Sequence, residues 1–266
     1  MISRAAPAMI NLALVVGPKR PDGLHEVATL LQRVDLADTI SLETAPKLTV
    51  QGFEEDTLVR DALVAVAAAA GVEPRWRARI EKRIPVASGL GGGSSDAATA
   101  LRLACELLDD PPPPERLHQI AASLGVDVTF FLEGGPQLGT GTGTTLEPVD
   151  LPQDYTVLLL LPRGSRKPST TEIYGRFDGA AGFAERRARV LAIAASGRAA
   201  ELAALPSNDL ASSPLSARLR ELGAFRADVS GAGPTLYGLF ATRDDAERAA
   251  KELDAVGESW ITNPAW

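Results

Sequence analysis

The chain has 266 residues, of which 45% are hydrophobic and 23% charged, and a net charge of −7. These proportions exclude disordered and fibrous classes, and the length suits one large domain or two modest ones. The acidic balance excludes a nucleic-acid surface, which needs a basic stripe, and no apolar run approaches the roughly 20 residues that span a bilayer. One cysteine, Cys105, rules out an internal disulfide, and two histidines, His25 and His118, cannot make a metal site without carboxylates. The N-terminus lacks the apolar stretch and cleavage site of a secretory signal, so a cytoplasmic protein is expected.

In chain order, Met9 to Val16 reads as a buried strand followed by a turn over 17–23. Val27 to Val34, Thr39 to Leu42 and Leu48 to Gln51 read as three further strands. Leu58 to Ala70 is alanine-rich up to Gly71 and predicts a helix with a glycine stop. Arg75 to Arg83 alternates, with Trp76, Ala78 and Ile80 on one side, which is the period of a half-exposed strand. A glycine-rich turn follows, then a helix over Ser95 to Leu108. Prolines 111–114 break the chain before a helix over Glu115 to Leu124, closed by Gly125. Asp127 to Leu132 reads as a short strand or a helix start, and Gln137 to Thr145 as too polar for the core. Beyond 154 a strand is expected over 155–161 and helices near 170–177, 183–195 and 215–222. A hairpin-like pair, Arg226 to Ser230 and Leu236 to Ala241, precedes a helix over Asp244 to Ala255. Strands and helices mix without strict alternation, so the class is α+β. The stretch 146–154 suggests a boundary between a unit at 1–150 and another at 151–266.

The chemistry concentrates at Gly89-Leu90-Gly91-Gly92-Gly93-Ser94-Ser95-Asp96. Four glycines in five positions permit positive φ and close backbone approach to a ligand. The helix that follows offers unpaired amides and the positive end of its dipole, which together attract phosphate. Ser94 and Ser95 could cap that helix, bond a phosphate oxygen or, at Ser95, reach Mg²⁺. Asp96, read as part of the first turn, would repel an anion unless Mg²⁺ lay between them. A Walker A loop is excluded because no lysine occurs between Lys82 and Lys167. A dinucleotide fingerprint is excluded because the preceding strand is amphipathic.

The string from Pro85 to Ala98 resembles the ATP loop of the GHMP kinases. The likeness continues in order through Pro7-Ala8-Met9-Ile10-Asn11-Leu12, Arg20 to Glu26, Leu124-Gly125-Val126-Asp127-Val128, Ser207-Asn208-Asp209-Leu210 and Ser230-Gly231-Ala232-Gly233-Pro234-Thr235. Within the superfamily it is most similar to the branch that phosphorylates 4-diphosphocytidyl-2-C-methylerythritol in non-mevalonate isoprenoid synthesis. The resemblance implies two α+β lobes, the first like ribosomal protein S5 domain 2 and the second ferredoxin-like. It implies ATP and Mg²⁺, a small-molecule substrate and a monomer or homodimer. ATP would lie on Pro85, Gly89, Leu90, Gly91, Gly92, Gly93, Ser94 and Ser95. Asp127 matches the catalytic aspartate, and Asn11, Leu24, His25, Thr170, Tyr174, Gly231 and Gly233 fall at substrate-facing positions.

Two positions depart from the family pattern. Met9 stands where the family has a lysine, which the resemblance implies lies beside the catalytic aspartate and the reacting hydroxyl, and a thioether supplies neither charge nor proton. Leu24 replaces the tyrosine that stacks on cytosine. Arg4 and Lys19 are candidate replacement cations. The alternatives left open are another alcohol substrate, such as homoserine, mevalonate or a sugar, and a nucleotide-binding pseudokinase.

Overall fold

The structure, a computed structural model, describes residues 1–53, 57–165, 170–177, 179 and 181–265. The chain folds into two compact units that interleave in sequence. The first holds Met1–Ala8, Leu36–Val86 and Gly91–Gly134, and the second Met9–Asp35, Ala87–Leu90 and Gly135–Trp266. A single cut near residue 150 therefore does not separate them.

Two long strands, β1 (Ile2–Lys19) and β2 (His25–Thr44), pair with each other and contribute to both units. The separate strands expected over 27–34 and 39–42 are thus one. Asp35 to Asp38 interrupt the apolar pattern, but backbone pairing does not require apolar side chains, so the ladder runs on. In the first unit, β2 pairs antiparallel with β4 (Trp76–Glu81) from Thr39↔Glu81 to Thr44↔Trp76, and β4 pairs in parallel with β3 (Thr49–Gln51). Burial along β4 alternates strictly, as its sequence period predicts.

Among the described residues four helices complete this unit: α1 (Thr57–Ala69), α2 (Gly92–Leu107), α3 (Pro114–Leu124) and α4 (Val126–Leu132). The small residues of α1 and α2 let these helices pack closely, while α4 lies against α2 and α3. The segment after Gly125, read as a strand or a helix start, is therefore a helix.

The second unit continues with β5 (Gln137–Thr140), β6 (Thr145–Pro148) and β7 (Thr156–Pro162), then α5 (Thr170–Arg176), α6 (Phe183–Ser196), α7 (Ala199–Leu202) and α8 (Leu215–Glu221). It ends with β8 (Arg226–Val229), β9 (Leu236–Phe240), α9 (Arg243–Glu252), β10 (Gly257–Thr262) and β11 (Pro264–Ala265). The expectation that 137–145 is too polar for the core fails at β5. Gln137, Leu138 and Gly139 are buried because β5 pairs with β2 on one side and β6 on the other, which satisfies its backbone.

A second, antiparallel sheet has the order β10-β7-β9-β8. Helices α8 and α9 cover it, over a core of Leu158, Leu160, Leu219, Val229, Leu236 and Phe240. Among the described residues, no helix is long and apolar enough to cross a membrane.

Candidate active site

The glycine-rich turn begins in one unit and ends in the other, and each half has its own surroundings. Three residues take left-handed φ in alternation: Ala87 at 53°, Gly89 at 84° and Gly91 at 69°. Alternation of this kind turns successive amides toward one side and suits an anion. Helix α2 starts at Gly92, two residues before the serines, with Gly91 as N-cap and no side-chain cap. The expected serine cap is therefore absent. The first intrahelical bond runs from the Ser95 amide to the Gly91 carbonyl at 2.9 Å, so the amides of Gly92, Gly93 and Ser94 precede the helical ladder. Those three residues are partly exposed, whereas the Ser95 hydroxyl is buried with no hydrogen-bond partner.

Starting at Gly92 moves Asp96 out of the first turn, and its carboxylate meets a cation rather than an anion. Lys82 Nζ donates to Asp96 Oδ2 at 2.8 Å and to Asp38 Oδ2 at 2.6 Å, and both carboxylate side chains are fully buried. Asp38 Oδ1 also accepts from the amides of Arg83 at 2.5 Å and Ile84 at 2.8 Å. Burial alone would lower the Lys82 pKa, but hydrogen bonds to the two aspartates and their charges outweigh it and raise it. Sequence reasoning passed over Lys82. The signal was an unpaired-looking Asp38 within an apolar strand, which demanded a partner. Pro85 is partly buried just beyond this cluster. Asp127 lies in the first turn of α4, partly exposed, after the extended Gly125.

In the second unit, Gly89 is required by packing. A Cβ on it would stand 2.7 Å from the carbonyl oxygens of Ser230 and Gly233, so the late glycine loop packs directly against this position. Two bonds join the loops: Thr235 N–H donates to Ser88 O at 3.1 Å, and Ser230 Oγ donates to Gly89 O at 3.0 Å. The Leu90 side chain is fully buried, and its carbonyl accepts from the Met9 amide at 2.9 Å. Met9 is itself 3% exposed.

Asn11 donates from its backbone amide to Ser230 Oγ at 3.3 Å and from Nδ2 to Thr29 Oγ1 at 2.9 Å. Its Oδ1 is buried with no partner, and a Cβ at Gly231 would come within 3.3 Å of it. The structure thus brings together Met9, Asn11, Gly89, Leu90, Gly231 and Gly233.

His25 opens β2 and is buried, not a surface-turn residue. Its Nδ1–H donates to Gly17 O at 2.9 Å, which leaves Nε2 as the second polar atom of the ring. Tyr174 and Phe177 lie 5.8 and 5.7 Å away, centroid to centroid, over a small core of Leu14, Val16 and Val27. Leu24, the preceding residue, is 53% exposed. Lys167 and the Thr170 side chain lie outside what is described. Arg4 is bound to Glu106 at 2.9 Å in the first unit, and Lys19 is exposed near the end of β1.

Comparison with known proteins gives matches along the whole chain. The family model described as GHMP kinases N terminal domain matches residues 57–135, and that described as GHMP kinases C terminal matches 190–259. A Geobacter sulfurreducens protein named 4-diphosphocytidyl-2-C-methyl-D-erythritol kinase is 35% identical, over 96% of this chain and 95% of that protein. One of the same name from Pelotomaculum thermopropionicum is 37% identical, over 97% and 96%. A crystal structure of 4-(cytidine 5'-diphospho)-2C-methyl-D-erythritol kinase is similar with a TM-score of 0.81, at 32% identity and full coverage of both chains. Homoserine kinase from Cytophaga hutchinsonii, at 16% identity, 98% and 94% coverage and a TM-score of 0.75, shares the fold.

Proposed function

The chain belongs to the GHMP kinases, and from that premise we propose that it transfers the γ-phosphoryl group of ATP to a hydroxyl of 4-diphosphocytidyl-2-C-methylerythritol. The observation that carries the reading is the start of α2, where three amides precede the helical ladder behind an alternating left-handed turn. The choice of alcohol follows the name of the near-full-length relatives.

Phosphoryl transfer needs an alcohol held in line, compensation of charge on the phosphates and a group to orient the hydroxyl proton. In this proposal the amides of Gly92, Gly93 and Ser94 take the phosphates. The orphaned Ser95 hydroxyl fits a hard oxygen-seeking ion or a phosphate oxygen. Mg²⁺ held there would supply charge neutralisation on the triphosphate. Asp127 accepts or orients the hydroxyl proton, and the unpaired Asn11 Oδ1 takes a hydrogen bond from the polyol. His25 Nε2 and the Tyr174 ring provide an edge and a face for the cytosine, and stacking of this kind is worth about 1–3 kcal/mol. A cytoplasmic location belongs to the same proposal.

Met9 favours a second reading, a nucleotide-binding pseudokinase, because the resemblance puts a lysine there. Losing one preorganised donor costs about 10²–10³ in turnover. The expected result is slow but ATP-dependent phosphorylation by the parent, with a Met9→Lys variant gaining about tenfold or more in kcat. Adenine-nucleotide binding without product from either protein would establish the second reading instead.

A further inference from the structure

Apart from the residues already assigned, the most highly connected polar side chain among the described residues of the second unit is the guanidinium of Arg226, at the start of β8 and 5% exposed. Its Nε donates to Tyr237 Oη at 3.1 Å, and Nη1 to Leu205 O. Nη2 donates to Leu12 O and Pro206 O, both at 2.9 Å, and to Asp228 Oδ2 at 3.1 Å. Tyr237 Oη in turn donates to Leu12 O at 2.9 Å. Asp228 passes the connection on: Oδ2 accepts from the Asn208 amide at 2.9 Å, and Asn208 Nδ2 donates to Val229 O at 2.9 Å and Gly231 O at 2.6 Å.

We propose that Arg226 is a positioning residue for the alcohol substrate, holding Asn11 and the Gly231 loop in one fixed arrangement through Leu12 on one side and Asp228–Asn208 on the other. The inference rests on the reading above that Asn11 and this loop face the substrate.

A buried ion pair gains little net stability over apolar groups of the same volume, and what it adds here is geometry. The planar fork of arginine presents its donors in fixed directions, so that Leu12, residues 205–206 and Tyr237, together with Asp228 on its own strand, are referred to a single rigid group. Lysine, with its donors at one point, cannot span them. The Asn-Asp motif at 208–209 then gains a stated role. Asn208 supports the Gly231 carbonyl, while Asp209 Oδ2 accepts from the Val16 amide of β1 at 2.8 Å.

The test uses two variants of the full chain, with the parent beside them. Arg226→Lys keeps a charge beside Asp228 and loses the fork. Arg226→Met with Asp228→Asn removes both charges at similar volume and guards against a single change that fails to fold. Both are expected to raise KM for 4-diphosphocytidyl-2-C-methylerythritol or lower kcat by about 10- to 100-fold, with KM for ATP within about twofold of the parent. Faster hydrogen exchange is expected at 207–210 and 229–233. Loss of thermal stability with unchanged kinetics per folded molecule would make the role structural and overturn the proposal. If the parent phosphorylates no such alcohol, the functional reading falls by itself. Hydrogen exchange then still judges the network, and unchanged exchange in both variants refutes it.

Discussion

Glycines that look alike in the sequence act differently in the glycine-rich turn. Gly89 has φ of 84° and backbone oxygens 2.7 Å from any added Cβ, whereas Gly93 is helical with Leu58 Cδ1 as its nearest neighbour at 3.5 Å. Gly89→Ala is therefore expected to destabilise the fold by about 1–3 kcal/mol from the backbone term alone. Gly93→Ala should leave stability level or raise it by about 0.5–1 kcal/mol. Chemical denaturation of the two variants checks the contrast, and equal losses would contradict it. Lys82 gives a second residue-level expectation. Replacing it by methionine strands two buried carboxylates, and loss of one partner of such a pair costs about 3–5 kcal/mol. Urea unfolding measures this directly. The motif residues were legible because their types are chemically narrow. Lys82 was not, because what defines it is the approach of Asp38 and Asp96, which lie 44 and 14 positions away.

Periodicity served well for elements whose burial it controls. The alternation of β4 and the alanine-rich α1 appear almost as read. It failed where backbone pairing or a helix start sets the structure, as at β5, at the unbroken β2 and at the early beginning of α2. One element carries a pH response. At the α3–α4 contact, His118 Nδ1 lies 2.8 Å from Pro114 O and Nε2 lies 2.6 Å from Glu133 Oε1, so both ring nitrogens face acceptors. Only the imidazolium can donate to both. The bond to the Pro114 carbonyl, then that to Glu133, raise the pKa above 6.5 against a smaller opposing effect of burial, with the charges of Glu133 and Glu115 adding to the rise. A raised folded-state value means that the stabilisation is fully present below pH 6.5 and is lost as pH climbs through the folded value. The thermal midpoint of the parent should therefore exceed that of His118→Gln at pH 6 and converge toward it in alkaline buffer. A constant gap would show that the clasp does not titrate. Arg102 of α2 also carries charge near this contact, donating to Leu132 O beside Glu133.

At the scale of the molecule, the α+β class was readable from the irregular mixture of strands and helices, and the family from ordered motifs. The interleaving of the units was not, because it depends on long-range contacts that no local pattern encodes. Residues Met9–Asp35 belong with Gly135–Trp266, and Leu12 O is the acceptor for both Arg226 and Tyr237. A fragment of residues 151–266 expressed alone should accordingly lack cooperative unfolding, since it would keep those buried donors and lose their acceptor. Adding a peptide of residues 9–35 should restore part of its order, as judged by amide dispersion in NMR spectra. Independent cooperative folding of the fragment would contradict this.

The same interleaving has a consequence during synthesis on the ribosome. Every residue of the first unit has been made once Gly134 is joined, yet Met9–Asp35, apolar over much of its length, must wait for the last 132 residues before its own unit is complete. At about 5–20 residues per second that interval is on the order of ten seconds, long enough for a nascent-chain chaperone to shelter the segment.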